Sequence, residues 1–447
     1  MRLNSLSLHI IILYIIVACG CTIYQKPRPI HDVPFQERSQ SKIDGEVRVT
    51  VAVLSAEESR RLFGVNLAGE NIQPVWVRVQ NADSVAYWLM SSGMDSDYFS
   101  PLEAAYAFHA TIGSSVNPKI DDHFRVMNFR NPIAPGTSVS GFVLTNRDEG
   151  IKVVDIDLVG PGSVKFFTFF VEVPGIEADY EQVDFDNLYT EDEIVDLDED
   201  ELRAELKKLP CCAVGEDGIS KGDPLNLVLI GSRDDISSAF VRQGWLPAER
   251  TYGKAVFKTV NSFLFGARYR YSPVSPLYYN KRQQDFTGQK PRHTVHQRNH
   301  LRVWLTPMRF QGQEVWVGQI SRDIGVRFTF KTWPPVTHKI DPDIDEAMYA
   351  LLEDLVYSQQ LAKVGWVKGV GAAPRNDPRY NLTGDPYFTA GLRAVLLFDH
   401  RPHSFENIQS FDWEESAISS KLKRLITDQQ SDFDGNEVWV NPEGEGQ

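Results

Sequence analysis

The strongest constraint on the fold is an alternation of apolar and polar residues with the period of a β-strand, densest between residues 278 and 346. Residues 301–305 alternate in this way, and 315–320 and 325–330 predict a return strand and a third strand. Gln311-Gly312-Gln313 predicts the hairpin turn between the first two. The stretch therefore predicts a sheet with His300 and Arg302 projecting from one face.

The same alternation recurs earlier in the chain, in segments joined by turn-rich connections. These segments are 47–53, 74–81, 138–144, 152–158 and 165–173, and they predict an antiparallel β-sandwich. Further on, an apolar run at 225–230 precedes a helix capped by Ser232, which predicts a strand-turn-helix unit. The expected fold is therefore β-rich and multidomain: an antiparallel β-sandwich followed by an α/β (α+β) domain.

At 447 residues the chain is too long for one ordinary core, so several domains are expected. Helices are predicted at 100–107, capped by Ser100, from a cap at Thr190 to Leu209, and from a cap at Asp341. The predicted parts are a signal peptide (1–19), a flexible tether (20–44), the β-sandwich (45–174), an acidic linker and helix (175–208), the α/β domain (209–400) and a polar tail (401–447).

Charge and glycine patterns exclude several classes of partner. The net charge is −14, and residues 177–205 hold 14 acidic residues against one basic residue, so the remainder is nearly neutral. A nucleic-acid partner is not expected, because such a protein should show a basic patch. The turn after 225–230 lacks the glycine spacing of a nucleotide loop, and no organic cofactor is expected.

The amino terminus predicts export. Arg2 precedes an apolar run at 6–18, and the run is too short for a comfortable membrane span. Residues 16–19 (Ile-Val-Ala-Cys) resemble the lipobox of bacterial lipoproteins. That resemblance implies a fatty-acyl anchor such as palmitate on Cys19, with Cys21 as second choice and an uncleaved anchor as the alternative. The expected location is the cell envelope, facing the periplasm, with the outer membrane favoured because Asp does not follow either cysteine.

The two remaining cysteines, Cys211 and Cys212, are adjacent. Neighbouring cysteines can form only a strained disulfide, so two buried free thiols are predicted.

The candidate catalytic residues are His300, Arg302, Asp323, His338 and Asp285. The two histidines would act as acid and base, the two aspartates as orienting groups or metal ligands, and Arg302 would hold an anion. One alternative is a solvated sheet face on which Arg302 pairs with Asp323. Another is a divalent metal on His293, His296 and His300, if those residues were helical.

Motifs along the second domain resemble a known family. They are Cys211-Cys212, residues 222–228 (Gly-Asp-Pro-Leu-Asn-Leu-Val), Gly244-Trp245, 271–275, Gln284-Asp285, 300–304 (His-Leu-Arg-Val-Trp), 316–318, Asp323 and 338–345. Over residues 209–361 they resemble the LssY carboxy-terminal domain. In other members this domain can follow a phosphatidic-acid-phosphatase-like membrane region, which implies envelope or lipid-linked biology without assigning a reaction. Members often carry two adjacent histidines where this chain has Asn299-His300.

Two functions follow. The first is a membrane-anchored envelope lipoprotein that binds or scaffolds an envelope protein or lipid-linked ligand. The alternative is an envelope hydrolase acting on a phosphate- or lipid-linked substrate through the His/Asp/Arg site. The sequence leaves open whether the protein is an enzyme.

Overall fold

The computed structural model describes residues 24–110, 114–148, 150–173, 183–247, 276–291, 298–328 and 336–414. The first part of the chain forms strands β1 Gln40–Asp44, β2 Val47–Val53, β3 Ile72–Asn81, β4 Trp88–Leu89, β5 Thr137–Asn146, β6 Gly150–Gly160 and β7 Ser163–Val173, with helices α1 Ala56–Phe63, α2 Ser91–Met94, α3 Pro101–Tyr106 and α4 Asn117–Met127. None of the helices in the described ranges combines the length and hydrophobicity that a bilayer crossing requires.

These strands form the predicted antiparallel β-sandwich. One sheet has the order β1-β2-β3-β5 and the other β4-β6-β7. Alternate valines of β2 and β3 pack against Val154, Ile156 and Leu158 of β6 and against Phe167 and Phe169 of β7. The period-two pattern places one side of each strand in this shared core, which confirms the prediction.

The second part of the chain contains strands β8 Val195–Leu197, β9 Cys212–Val214, β10 Lys221–Pro224, β11 Leu227–Ile230, β12 Leu246–Pro247, β13 Tyr278–Tyr279, β14 Arg282–Gln283, β15 Phe286–Pro291, β16 Arg298–Phe310, β17 Gln313–Phe328, β18 Val336–Ile340, β19 Leu361–Lys368, β20 Arg379–Tyr380, β21 Pro386–Tyr387, β22 Leu392–Phe398 and β23 Gln409–Ser410. Its helices are α5 Glu199–Lys208, α6 Arg233–Arg242 and α7 Ile344–Tyr357.

The main sheet of this part has the order β12-β15-β16-β17-β11-β22-β19-β23, with β18 paired to β17 and β8 to β16. It is mixed, because β11 and β22 run parallel while most other pairs are antiparallel. Helices α6 and α7 pack on one face of the sheet. On the other face, α5 covers β11, and the small sheet β10-β9-β13-β14 covers Trp304 and Val317. The predicted α/β (α+β) architecture is confirmed.

Local signals account for several element ends. Ser100 caps α3 as predicted: it accepts a hydrogen bond from the backbone of Glu103, and the Glu103 carboxylate accepts one in return, which completes a capping box. Ser232 caps α6 as predicted. Gln311 and Gly312 both have positive φ, which closes the β16–β17 hairpin where the turn was expected.

The predicted flexible tether over 20–44 is wrong for the residues that the structure describes. Val33 and Phe35 are buried in the core formed by β3, β5 and the helices, and β1 pairs with β2 along its length. The few apolar residues of this polar segment are sufficient to fix it against the sandwich. Residues 1–23, including Cys19 and Cys21, lie outside the described residues.

Two further boundaries differ from the prediction. The acidic helix α5 begins after Asp198, which forms a capping box with Glu201, while the predicted cap Thr190 closes only a local turn with Glu193. The predicted polar tail from 401 returns to the main sheet, where β23 pairs with β19 and Phe411 is buried. Residues 415–447 lie outside the described part.

The region around β17 also departs from the expected pattern. Residues 315–320 and 325–328 belong to one continuous strand, with a register irregularity between Asp323 and Gly325. Helix α7 starts after Asp343 instead of Asp341. The backbone of Asp343 forms a bridge to Phe388, and its N–H donates a hydrogen bond to the Asp341 side chain.

The structure joins Cys211 and Cys212 in a vicinal disulfide, so the prediction of free thiols is wrong. The surrounding chain is held on both sides. Buried Arg393 donates hydrogen bonds to the carbonyls of Leu209 and Pro210, and the backbone N–H of Leu225 donates to the Cys211 carbonyl. These tertiary contacts fix the backbone around the cysteine pair. The spacing of the cysteines in the sequence does not reveal such contacts.

An ionic contact joins the two domains. Arg242 of α6 donates to Asp155 and Asp157, which are both on β6 of the sandwich. Asp155 also accepts hydrogen bonds from Ser238 and Thr168. Burial, together with the charge of Asp155, raises the pKa of Asp157 to about 7, although Arg242 opposes the shift. Two carboxyl groups therefore share one guanidinium group.

We predict that Asp157→Asn removes a pH-dependent component of domain docking. Because the folded-state pKa is raised, the folded protein binds the extra proton between about pH 4 and about pH 7, and docking weakens as pH rises through that window. Across that window the free energy of docking in the parent should fall by up to about 1.4 kcal/mol per pH unit relative to Asp157→Asn. Hydrogen exchange of α6 amides measures this difference, and parallel pH profiles in the two proteins would contradict it.

Candidate functional site

The β16–β17 hairpin places the predicted site residues on one face of the main sheet. His300 lies opposite Ser321, and Arg302 lies opposite Gln319. On the other side of β16, Gln289 and Thr287 of β15 are the cross-strand neighbours of these residues. Directly opposed residues of antiparallel strands share a face, so three adjacent strands contribute polar side chains to one buried area.

His300 and Asp323 form a direct hydrogen bond. The distance between His300 Nε2 and Asp323 Oδ2 is 2.6 Å, and the two residues are 7% and 3% exposed. Asp323 lies two residues beyond the direct partner of His300, within β17. A carboxylate at this position fixes the orientation of the imidazole ring.

Arg302 joins a second carboxylate to the group. Its guanidinium donates a hydrogen bond of 2.7 Å to Gln319 Oε1 and lies 3.7 Å from Asp223 Oδ2. Asp223 also accepts a 2.9 Å hydrogen bond from Asn381, in the turn between β20 and β21. We call Asp223, His300, Arg302, Gln319 and Asp323 the polar centre.

Burial raises the pKa of the Asp223 carboxyl, and the negative charges of Asp323 and Asp385 add to the shift. The charge of Arg302 and the hydrogen bond from Asn381 oppose it. A carboxyl group in such surroundings can hold a proton nearer to neutral pH than an exposed aspartate does. The polar centre therefore contains the elements of acid–base chemistry: an oriented imidazole, a carboxyl of raised pKa and a cation.

Asp285 lies apart from the polar centre. It accepts hydrogen bonds from the Leu305 backbone and the Arg282 side chain, and burial raises its pKa to about 6. It is four residues from Gln289, the cross-strand neighbour of His300, or about 13 Å along the strand. Its contacts tie the chain before β15 to the middle of β16, which is a structural role.

The third predicted member, His338, lies on β18 with its backbone opposite Val326, and its side chain is outside the described part. His293 and His296 are also outside the described residues, whereas His300 lies in a strand, so the helical spacing proposed for a metal does not extend to it. Within the described ranges, no three or more His, Cys, Asp or Glu side chains are grouped to hold a metal ion.

Sequence reasoning missed Asp223, Gln319 and Asn381 as site residues. Asp223 stands inside the Gly222-Asp223-Pro224 motif, so its position in a family pattern was a usable signal. Gln319 lies two residues before Ser321, so the alternation of a strand places both side chains on the same face, which was a usable signal. Asn381 lies in a Gly-, Pro- and Asn-rich stretch, where no pattern indicates that it approaches a strand more than 150 residues earlier.

A second feature lies where the sandwich meets the second domain. An apolar cleft with a cavity volume of about 60 Å³ lies there. Phe170 of β7 and Phe185 of the linker line one side, and Phe240, Trp245, Phe286 and Trp316 line much of the rest. We call this space the apolar cleft.

The wall of the apolar cleft contains an unsatisfied donor. Trp316 is 4% exposed, and no acceptor for its indole N–H is present in the structure as described. A buried donor without an acceptor costs about 1–3 kcal/mol, and indole N–H groups are ordinarily bonded when buried. The cleft is thus lined by apolar side chains and by a residue whose polar group lacks a partner, as in ligand pockets of mixed character.

Comparison with known proteins gives a family match within the second domain. Residues 206–392 match the family model described as LssY C-terminus. The resemblance inferred from the motifs is confirmed for that region. No curated protein matches the chain.

All five members of the polar centre lie within this LssY C-terminus region. The apolar cleft does not, because Phe170 and Phe185 precede it in the chain. The polar centre is therefore built by the family region alone, whereas the cleft requires the sandwich and the linker of this particular chain.

Proposed function

We propose that the protein is a membrane-anchored envelope lipoprotein that binds an apolar or lipid-linked ligand between its two domains. The observation that carries the proposal is the apolar cleft. Clefts at domain boundaries with mostly apolar walls and a few polar groups are preferred sites for small ligands. Exposed apolar surface of this kind also costs free energy in water, which a bound apolar chain would recover.

The contacts around the cleft support a site formed before the ligand binds. Phe185 packs on Trp316 with ring centroids 5.6 Å apart, and Phe240 packs edge-on against Trp245 at 5.4 Å. The contact of Arg242 with Asp155 and Asp157 holds the sandwich against α6. A wall held from both domains loses little conformational freedom when a ligand enters.

The anchor belongs to the same proposal. We infer that Cys19, or Cys21 as second choice, carries the acyl group and that the body faces the periplasm, at the outer membrane in preference to the inner. A tethered binding protein would meet lipid-linked ligands, or an envelope protein that presents them, at the membrane surface. Neither nucleic acid nor an organic cofactor enters the proposal.

The ligand proposal predicts site-specific labelling by an apolar chain. Full-length protein in lipid nanodiscs, exposed to a photoreactive alkyl alcohol, should be labelled at peptides that contain Trp245 and Trp316. Ser237→Phe, which places a ring in the cleft from α6, should reduce this labelling about tenfold by occupying the space.

Ser92→Phe is the matched control, because it adds the same ring at an exposed serine of α2. It should label like the parent. Labelling confined to peptides outside the cleft, or unchanged in Ser237→Phe, would remove the proposal.

A second candidate function is an envelope hydrolase acting on a phosphate- or lipid-linked substrate. The observation that favours it is the 2.6 Å contact between His300 and Asp323 beside Arg302 and Asp223. In that function His300 is the general base or acid, Asp323 orients it, and Arg302 holds the anionic group. The same assay also tests whether a divalent metal takes part in the reaction.

The hydrolase candidate predicts that turnover of chromogenic phosphate or ester substrates falls by about 10²–10⁴-fold in His300→Ala. Asp285→Asn should keep the parent rate within a few-fold, since Asp285 lies apart from the polar centre. The assay is run with and without chelator. Equal rates for the parent and His300→Ala would rule out this function.

The anchor predicts that Cys19→Ser abolishes incorporation of labelled fatty acid and releases the protein from membranes. Cys21→Ser should leave both unchanged. Mass spectrometry of the mature amino terminus decides between the two cysteines. Recovery of the unprocessed, unacylated chain in the cytosol would contradict the anchor.

A further inference from the structure

Arg233 stands beside the apolar cleft, at the first turn of α6, and is one of its lining residues. Its guanidinium lies between two aromatic rings, 5.3 Å from the centroid of Phe170 and 5.2 Å from that of Phe185. One ring belongs to the sandwich and the other to the linker. The cation is thereby held in place while its side chain remains exposed to solvent.

The aromatic rings leave the hydrogen-bonding edges of this guanidinium without a carboxylate partner among the described residues. The neighbouring acids are engaged elsewhere. Asp234 pairs with Lys42 of β1 at 2.7 Å, and Asp235 accepts a 2.6 Å hydrogen bond from the Ser232 hydroxyl as well as facing the helix amino terminus. A planar cation with five donors and no anion is suited to binding a carboxylate or phosphate.

We propose that the ligand of the apolar cleft is a single-chain amphiphile whose anionic head group binds Arg233. This inference rests on the proposed function and adds the chemical class of the ligand. The shared chemistry is an alkyl chain ending in a carboxylate or phosphate.

The size of the cleft favours a single chain. Its cavity volume is about 60 Å³. A space of this size can take part of one alkyl chain more readily than a bulky ring system. Arg233 belongs to the exposed part of the lining, where a head group can keep part of its hydration while the guanidinium neutralises its charge.

The composition of the cleft lining agrees with an anionic ligand. The buried indole N–H of Trp316 lacks an acceptor among the described residues, and Trp316 lines the same cleft as Arg233. The charged residues of the cleft lining include the cation of Arg233 and no acid.

The test compares three photoreactive probes of equal chain length, an alkyl phosphate, an alkyl carboxylate and an alkyl alcohol, on full-length protein in nanodiscs. The readout is the concentration that half-saturates labelling of cleft peptides. Parent protein should take an anionic probe at about tenfold lower concentration than the alcohol. Arg233→Ala should remove this preference while leaving alcohol labelling intact, which also shows that the variant is folded.

Arg309→Ala is the matched control. Arg309 lines a separate polar pocket and is not part of the cleft lining, so its removal should preserve the preference for anionic probes. Arg233→Lys should retain part of the preference, because the charge remains but the planar donors are lost. A preference for only one of the two anionic probes identifies the head group and supports the inference.

Equal half-saturation by anionic and neutral probes in the parent would overturn the inference and leave the apolar ligand intact. The same holds if Arg233→Ala keeps the anionic preference. If none of the probes labels the cleft, the proposed function fails together with the inference.

Discussion

The pairing of β16 with β17 is the interaction on which the rest of the second domain depends. The two strands form a long antiparallel hairpin. Strands β15 and β8 pair with β16, and β11 and β18 pair with β17. Because strand side chains alternate, one face carries Leu301, Val303 and Leu305, and the other carries His300, Arg302 and Trp304. A shift of register by one residue would exchange these faces, burying the charged set against α6 and α7.

The charged face is tolerated because its members satisfy one another. An isolated ion in a protein interior is costly, but here the Arg302 guanidinium approaches Asp223 and bonds Gln319, and Asp323 bonds His300. Such a network specifies one arrangement of strands, since few alternative packings would pair all of these groups. The same arrangement holds an oriented imidazole beside a cation, so the structural requirement and the capacity for chemistry arise from the same residues.

The boundary between the domains combines two contrasting contacts. At one place Arg242 bonds two carboxyl groups of β6, and nearby the aromatic residues of both domains meet around an incompletely filled cleft. The polar contact joins α6 to β6, and the aromatic rings beside it line the cleft. The proposed ligand site is therefore a property of the domain pair, whereas the polar centre belongs to the LssY C-terminus region alone.

The sequence by itself determined the strands, the sandwich, the caps of α3 and α6, the hairpin turn and the shared face of His300 and Arg302. These features depend on residue spacing or on local hydrogen bonds within a few residues of the chain. Local patterns were less reliable where distant contacts competed, as for the segment before β1, the start of α5 and the cysteine pair. Only the tertiary structure decided that Asp223 and Asn381 meet Arg302, that Asp285 lies elsewhere, and that Arg233 stands between rings from two parts of the chain. Those contacts join residues far apart in sequence, and they form because burial of the whole chain brings the segments together, which no local pattern encodes.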